Sequence, residues 1–273
     1  MVPDPESTRA TLAGFGEGGL TNANLGEAAL LLASLDCPGV PLDQYRDHLA
    51  SIAKTAVEFS ADDPSSALRQ AIAGAFGYEG DQKTYDDPQN ANLIRVIERR
   101  KGLPVSLGIL YIETARALGL DACGLNFPNH FLIRLQWDSG RAIVDPFNGG
   151  VSLDARALRD LLAHFQGASA ELTQAHYTDV TDLDILLRLQ NNMKLRLLRD
   201  GQLEPALQII RDMRLLAPVV PSLLREEGLL LARKGERRAA IGCLRDFLSL
   251  EGIREPERMD AARVLQVLES QLN

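Results

Sequence analysis

Ser106, His130 and Asp145 follow one another within a short central stretch of the chain, and their types are those of a nucleophile, a general base and an orienting carboxylate. A serine hydroxyl is not ionised in its ground state, so it has to lose its proton during attack. His130 is the group that would take that proton, with Asp145 holding the imidazole in the correct tautomer. Such a set favours hydrolysis of, or acyl transfer from, an ester or amide through an acyl-serine. The backbone N–H of Ser106 is one oxyanion donor, and Asn90, Asn92 and Asn129 are candidates for the second.

The elements that must carry these residues are readable around them. Gly102 closes one helical pattern, and Leu107, Leu110, Tyr111, Thr114 and Leu118 recur at helical spacing up to Gly119, which places Ser106 in the first turn of a helix. The unpaired N–H groups and the positive dipole end there favour negative charge. Ala122 to Leu125 reads as a short strand, His130 to Trp137 as a longer one, Asp138-Ser139-Gly140 as a hairpin signal, and Arg141 to Val144 as the return strand delivering Asp145 before Pro146. With Ser139-Gly140 as a two-residue turn, Asp145 faces Arg134, about 13 Å along the strand from His130. Bringing the two together takes another register, a bulge, or an Asp145 beyond the strand end. Each residue also has a purely structural reading: Ser106 as a first-turn residue, His130 as a half-buried strand histidine, Asp145 as a turn initiator. Cys123 is a rival nucleophile, but on an apolar strand it reads as a small core residue.

A helix presenting a nucleophile, followed by a hairpin presenting His and Asp, resembles the core of transglutaminase-like and papain-like proteins. The runs Tyr85-Asp86-Asp87-Pro88, Glu98 through Leu107, Phe127 through Arg134 and Asp145-Pro146-Phe147-Asn148-Gly149-Gly150 together resemble the SirB-type family, in which a transglutaminase-like core is joined to tetratricopeptide repeats. The resemblance spans nearly the whole chain. It implies an α+β fold: N-terminal helices, a papain-like core of a helix and a small antiparallel sheet, and C-terminal all-α tetratricopeptide-like helices. It also implies that Ser106 stands where the wider superfamily carries its cysteine nucleophile, a departure from an active transglutaminase.

Outside the core the pattern is helical. Asn24 with Glu27 resembles a capping box opening a helix that stops at Pro38, and further helices are expected at Leu42–Val57, Pro64–Phe76 and Asn90–Lys101. Tyr85 to Pro88 either lines a site or makes turns, the second being the favoured reading, and Ser152 or Asp154 starts another short helix. Gly201, Ala206, Arg211, Asp212, Met213 and Leu216 are matched 34 residues later by Gly235, Ala240, Arg245, Asp246, Phe247 and Leu250, the tetratricopeptide period. The domain division expected is 1–177 for the transglutaminase-like part with its N-terminal helices and 178–273 for the repeat-like helices.

The 273 residues are 45% hydrophobic, enough for a sizeable core, and carry a net charge of −8, which argues against a general nucleic-acid or anionic-membrane binder. The local clusters Arg99-Arg100-Lys101 and Arg237-Arg238 read as solvated helix faces. Cys37, Cys123 and Cys243 are odd in number and far apart, with no disulfide framework or zinc spacing. His48, His164 and His176 have no companion at ligand spacing, so no metal and no cofactor is expected. The acidic start of the chain lacks the charge and apolar pattern of a signal peptide, and the apolar runs are too short for a bilayer, so the cytoplasm is the expected location. Two functions stand: a non-catalytic or weakly active module that binds a peptide or protein partner, and a Ser-His-Asp hydrolase or acyltransferase.

Overall fold

The computed structural model describes residues 3–20, 25–59 and 63–271. The chain forms two compact units, one made of residues 1–8 and 20–189, the other of residues 9–19 and 190–273. Helix α1 (Pro5–Gly18), where the sequence pattern predicts no element, starts behind Asp4, whose carboxylate accepts from the Ser7 amide. Asn24 of the expected capping box lies outside the described residues, and helix α2 (Leu25–Leu35) follows it. Helix α3 (Asp43–Glu58) matches expectation.

Pro64 to Phe76 is not one uniform helix. Asp63 caps α4 (Pro64–Arg69), and Gln70–Ala75 then widens into π-helical turns. After the two-residue strand β1 (Glu79–Gly80), a 3-10 turn at Pro88–Ala91 leads into α5 (Leu93–Arg99), capped by the Asn92 side chain on the Arg95 amide. Arg100 then takes a left-handed φ of 58°. That conformation costs a non-glycine residue about 1 kcal/mol or more. It is held because the guanidinium lies over the Tyr78 ring at 4.8 Å and hydrogen-bonds the Tyr78 hydroxyl. The Arg99-Arg100-Lys101 run is therefore no solvated helix face: Arg99 is ion-paired to buried Asp81, and only Lys101 reaches an exposed partner, Glu79.

Strand β2 (Lys101–Gly102) pairs in parallel with β1, and Pro104 at the first helical position opens α6 (Pro104–Ala117). This helix is apolar on every side, and eleven of its fourteen residues are buried. Helices α2, α3, α4 and α5 cover one side of it, and strands β3 (Asp121–Leu125) and β4 (Leu132–Trp137) the other. With β5 (Gly140–Asp145), β6 (Val151–Ser152) and β7 (Asp179–Val180) these strands form an antiparallel sheet in the order β6-β5-β4-β3-β7. Alternation sends Ala122, Ile133, Leu135 and Val144 to the α6 side. On the opposite face, Leu125, Phe127 and Leu132 pack under Leu158 and Leu162 of α7 (Ala155–Gln166), which Asp154 caps. The α+β class expected from the sequence is the one found.

Helices α8 (Asp182–Arg199), α9 (Leu203–Leu216), α10 (Pro221–Lys234), α11 (Arg237–Ser249) and α12 (Glu255–Ser270) complete the chain. From residue 190 onward they build the second unit around Ala206, Leu207, Ile210, Leu231, Ala240, Leu244 and Phe247. Of the residues matched at 34-residue spacing, the glycines and alanines have equivalent jobs, whereas Asp212 and Leu216 are buried and their counterparts Asp246 and Leu250 are exposed. Gly201 and Gly235 take φ of 74° and 83° just past a helix end, and Ala206 and Ala240 are fully buried in the following helix. Among the described residues no helix is long and apolar enough to cross a membrane.

Fully buried Phe131 lies between two glycines: a Cβ on Gly108 of α6 would meet its ring at 2.3 Å and one on Gly124 of β3 at 2.6 Å. Gly108→Ala will therefore destabilise the protein by about 1–3 kcal/mol through overpacking, although alanine is the better helix former by about 1 kcal/mol. Urea denaturation measures this, and an unchanged or raised midpoint contradicts it.

Candidate functional site

The hairpin decides whether His130 and Asp145 meet. Trp137 pairs with Gly140 and Ile133 with Val144, so the two-residue loop is Asp138-Ser139 rather than Ser139-Gly140. That register moves Asp145 two residues along, abreast of Leu132. His130 lies in the turn before β4, not within the strand, after Asn129 at a left-handed φ of 53°. The result is a distance of 2.9 Å between His130 Nε2 and Asp145 Oδ1, with both side chains buried. The approach is oblique: Nε2 lies close to the carboxylate without the alignment of a directed hydrogen bond.

Asp145 also organises its own turn. Its Oδ1 accepts from the amides of Phe147 (3.0 Å) and Asn148 (3.3 Å), its Oδ2 from the Asn148 side chain (2.7 Å), and its carbonyl from the Gly150 amide (2.8 Å). Burial alone would raise its pKa, but His130 and the Asn148 donors outweigh burial and hold the carboxyl below its ordinary value. Gly150 is required here, because it has a φ of 73° and a Cβ on it would sit 2.2 Å from the buried Tyr111 hydroxyl. The imidazole is fixed by rings that the sequence reading did not single out: Phe165 of α7 stacks on it at 5.9 Å and Phe147 meets it edge-on at 6.3 Å. Arg188 donates to the His130 carbonyl at 2.7 Å while lying over Phe131.

Ser106 is in the first turn of α6, as its spacing predicts, and is fully buried. Its hydroxyl faces two carbonyl acceptors, Asn90 O at 2.8 Å and Leu103 O at 3.0 Å. Among the described residues it has no hydrogen bond to His130. Gly102 closes over it, since a Cβ there would meet Ser106 Oγ at 2.6 Å, and Gly102 pairs with Gly80, on which Phe147 packs.

The segment that supplies Asn90 O is itself pinned. Asn90 donates to Thr84 O (2.7 Å) and accepts from Arg99 (2.9 Å), whose other nitrogen meets Asp81 at 2.9 Å. Burial pushes the Asp81 pKa up, but Thr84, Asn90 and Arg99 together drive it well below the carboxylate range. Asn92 donates to Ala33 O and caps α5. Two of the three oxyanion candidates thus have their amides committed, while Asn129 is exposed. Burial drives the Cys123 thiol up to about 12, so it stays protonated near neutrality and is no rival nucleophile. Among the described residues no group of three or more His, Cys, Asp or Glu is placed to hold a metal ion.

Asp81 and Asp145 both have folded pKa values below their unfolded value of about 3.9. Their contribution to stability is therefore complete above that pH and is lost as pH falls through and below it. The urea midpoint of the wild type will drop as pH is lowered below about 4, and Asp81→Asn and Asp145→Asn will each flatten that drop while lowering the midpoint at pH 7. Equal acid slopes in wild type and both variants would refute the assignment.

The family model described as "Transglutaminase-like superfamily" matches residues 43–191. A UPF0162 protein of Xylella fastidiosa is 35% identical over 188 residues, covering 68% of this chain and 67% of the relative. Another, from Vibrio cholerae, is 30% identical over 228 residues, with 81% and 84% covered. The UPF0162 protein YchA of Escherichia coli is 24% identical over 216 residues, with 78% and 80% covered. No solved structure matches the chain. With an α6-centred core, a His–Asp pair brought together by its hairpin, and relatives aligned over most of their length, the chain belongs to the transglutaminase-like superfamily and to the UPF0162 family.

Proposed function

We propose that this protein is a transglutaminase-like, SirB-type module in which Ser106 stands at the nucleophile position and the core is non-catalytic or weakly active. Its work is to bind a peptide or protein partner, with the C-terminal helices acting as tetratricopeptide-like interaction surface. The observation that carries this reading is the Ser106 hydroxyl, fully buried and turned to Asn90 O and Leu103 O. A nucleophilic serine needs its proton directed at a base and its oxygen open to a carbonyl carbon. Here the proton is held by main-chain acceptors, and reaching His130 would cost those bonds. A cavity of about 350 Å³ in the second unit supports the binding role; Leu195, Leu198, Ile210 and Leu229 line it beside Asn191 and Arg233.

The second reading, a serine-dependent hydrolase or acyltransferase of peptide or amide bonds, has the 2.9 Å His130–Asp145 contact in its favour. A fluorophosphonate probe separates the two. Folded wild type will label no more than Ser106→Ala, and Ser106→Cys will react with iodoacetamide only after unfolding in urea. Labelling of the wild type that disappears in both Ser106→Ala and His130→Ala would establish the hydrolase. For the binding role, Leu195→Asp, at a half-exposed groove position, will abolish wild-type binding to peptide arrays while leaving the unfolding free energy from urea titration within about 0.5 kcal/mol. Arrays bound equally by both proteins would place the binding elsewhere and refute the groove.

A further inference from the structure

Helix α7 covers only part of the sheet face on which it packs. Beside it lies a cavity of about 490 Å³, within the range of small-ligand sites, floored by Leu125 and Ile143 and walled by Leu153, Leu158 and Tyr177. The charged residues lining it are Arg134 and Arg141, with no carboxylate among the lining residues. Arg134 pairs with Ile143 across the ladder, and Ile143 is two residues from Arg141 on the same strand. Both guanidiniums therefore rise from one face as diagonal neighbours, with Cβ atoms about 7–8 Å apart or less. Asp179 pairs with Arg134 at 2.6 Å. Among the described residues Arg141 has neither an ion pair nor a hydrogen bond, and it is exposed. Asp179 and Asp121 both act on Arg134, whereas Arg141, over the same apolar floor, is left without an ion pair, in a chain whose net charge is −8.

We propose that this cavity binds a small amphipathic anion: one carboxylate, phosphate or sulfonate group set between Arg134 and Arg141, with an aliphatic or aromatic body lying on Ile143, Leu125 and Leu158. The oxygens of such an anion accept from both guanidiniums, relieving their mutual repulsion while the apolar body removes the floor from water. The site is separate from Ser106, so its occupancy does not depend on whether that serine is active.

The full-length protein is titrated with 8-anilinonaphthalene-1-sulfonate, followed by fluorescence, and with its uncharged parent N-phenyl-1-naphthylamine. Saturable one-to-one binding of the sulfonate is expected, at least about tenfold tighter than the neutral compound. Arg141→Glu, on an exposed side chain and with an unchanged circular dichroism spectrum, will weaken it by about tenfold or more, Arg141→Gln by less, and Ser106→Ala not at all. Binding that is non-saturable, equal for the two probes, or unaffected by Arg141→Glu overturns the proposal.

Discussion

Helix α6 carries apolar side chains around its whole circumference, so water has to be excluded from every side of it at once. That requirement shapes the first unit. Helices from before it in the chain take one side, and the sheet takes the other. The sheet's approach is set by Phe131, whose ring fills the space that the missing side chains of Gly108 and Gly124 leave open. One turn of the helix and one strand are thereby matched in depth to a single aromatic ring, and interiors packed this densely have little room to give.

The start of that helix is also where chemistry would have to happen, and burial governs it. The first-turn amides and the dipole favour an oxyanion there. The loop from Asp81 to Asn90, anchored through Arg99, brings a main-chain carbonyl to the Ser106 hydroxyl instead. A neutral hydroxyl is well served by such an acceptor; a developing negative charge is not. His130 and Asp145 are arranged independently of this, by the hairpin register, by the Asp145 turn and by the Phe165 and Phe147 rings. A His–Asp pair arranged separately from a serine whose proton goes to main-chain carbonyls is the geometry behind the proposed binding or weakly active core.

The second unit follows a different physical logic. Its helices repeat a local device, a left-handed glycine ending one helix and a buried alanine allowing the next to approach, so each helix pair is specified by residues near it in sequence. Charge supplements that packing: buried Glu227 of α10 is paired with Arg211 and Arg214 of α9. Such a surface can vary in its exposed residues without losing its core.

Much of this was legible in the sequence because it rests on local rules. The 3.6-residue spacing after Pro104, a helix start at Ser152 or Asp154, the glycines at 201 and 235 and the order Ser106, His130, Asp145 all announce themselves without tertiary information. Strands of two residues, such as β6 and β7, did not, since two residues carry no period and pair only because a longer strand offers an edge. The left-handed Arg100 and the π-helical turn at Gln70–Ala75 likewise exist through what they pack against. By itself, the sequence determined the helix that opens before Ser106, the hairpin after His130 and the repeating helical pairs, because periodicity and turn chemistry act over short distances, while the α+β class came through the resemblance of its separated motifs to a known family. Only the tertiary structure decided that His130 reaches Asp145 while the Ser106 proton goes to Asn90 and Leu103. A one-step difference in where a hairpin turns, and a loop fixed by an ion pair far along the chain, determine which groups touch, and neither leaves a local trace.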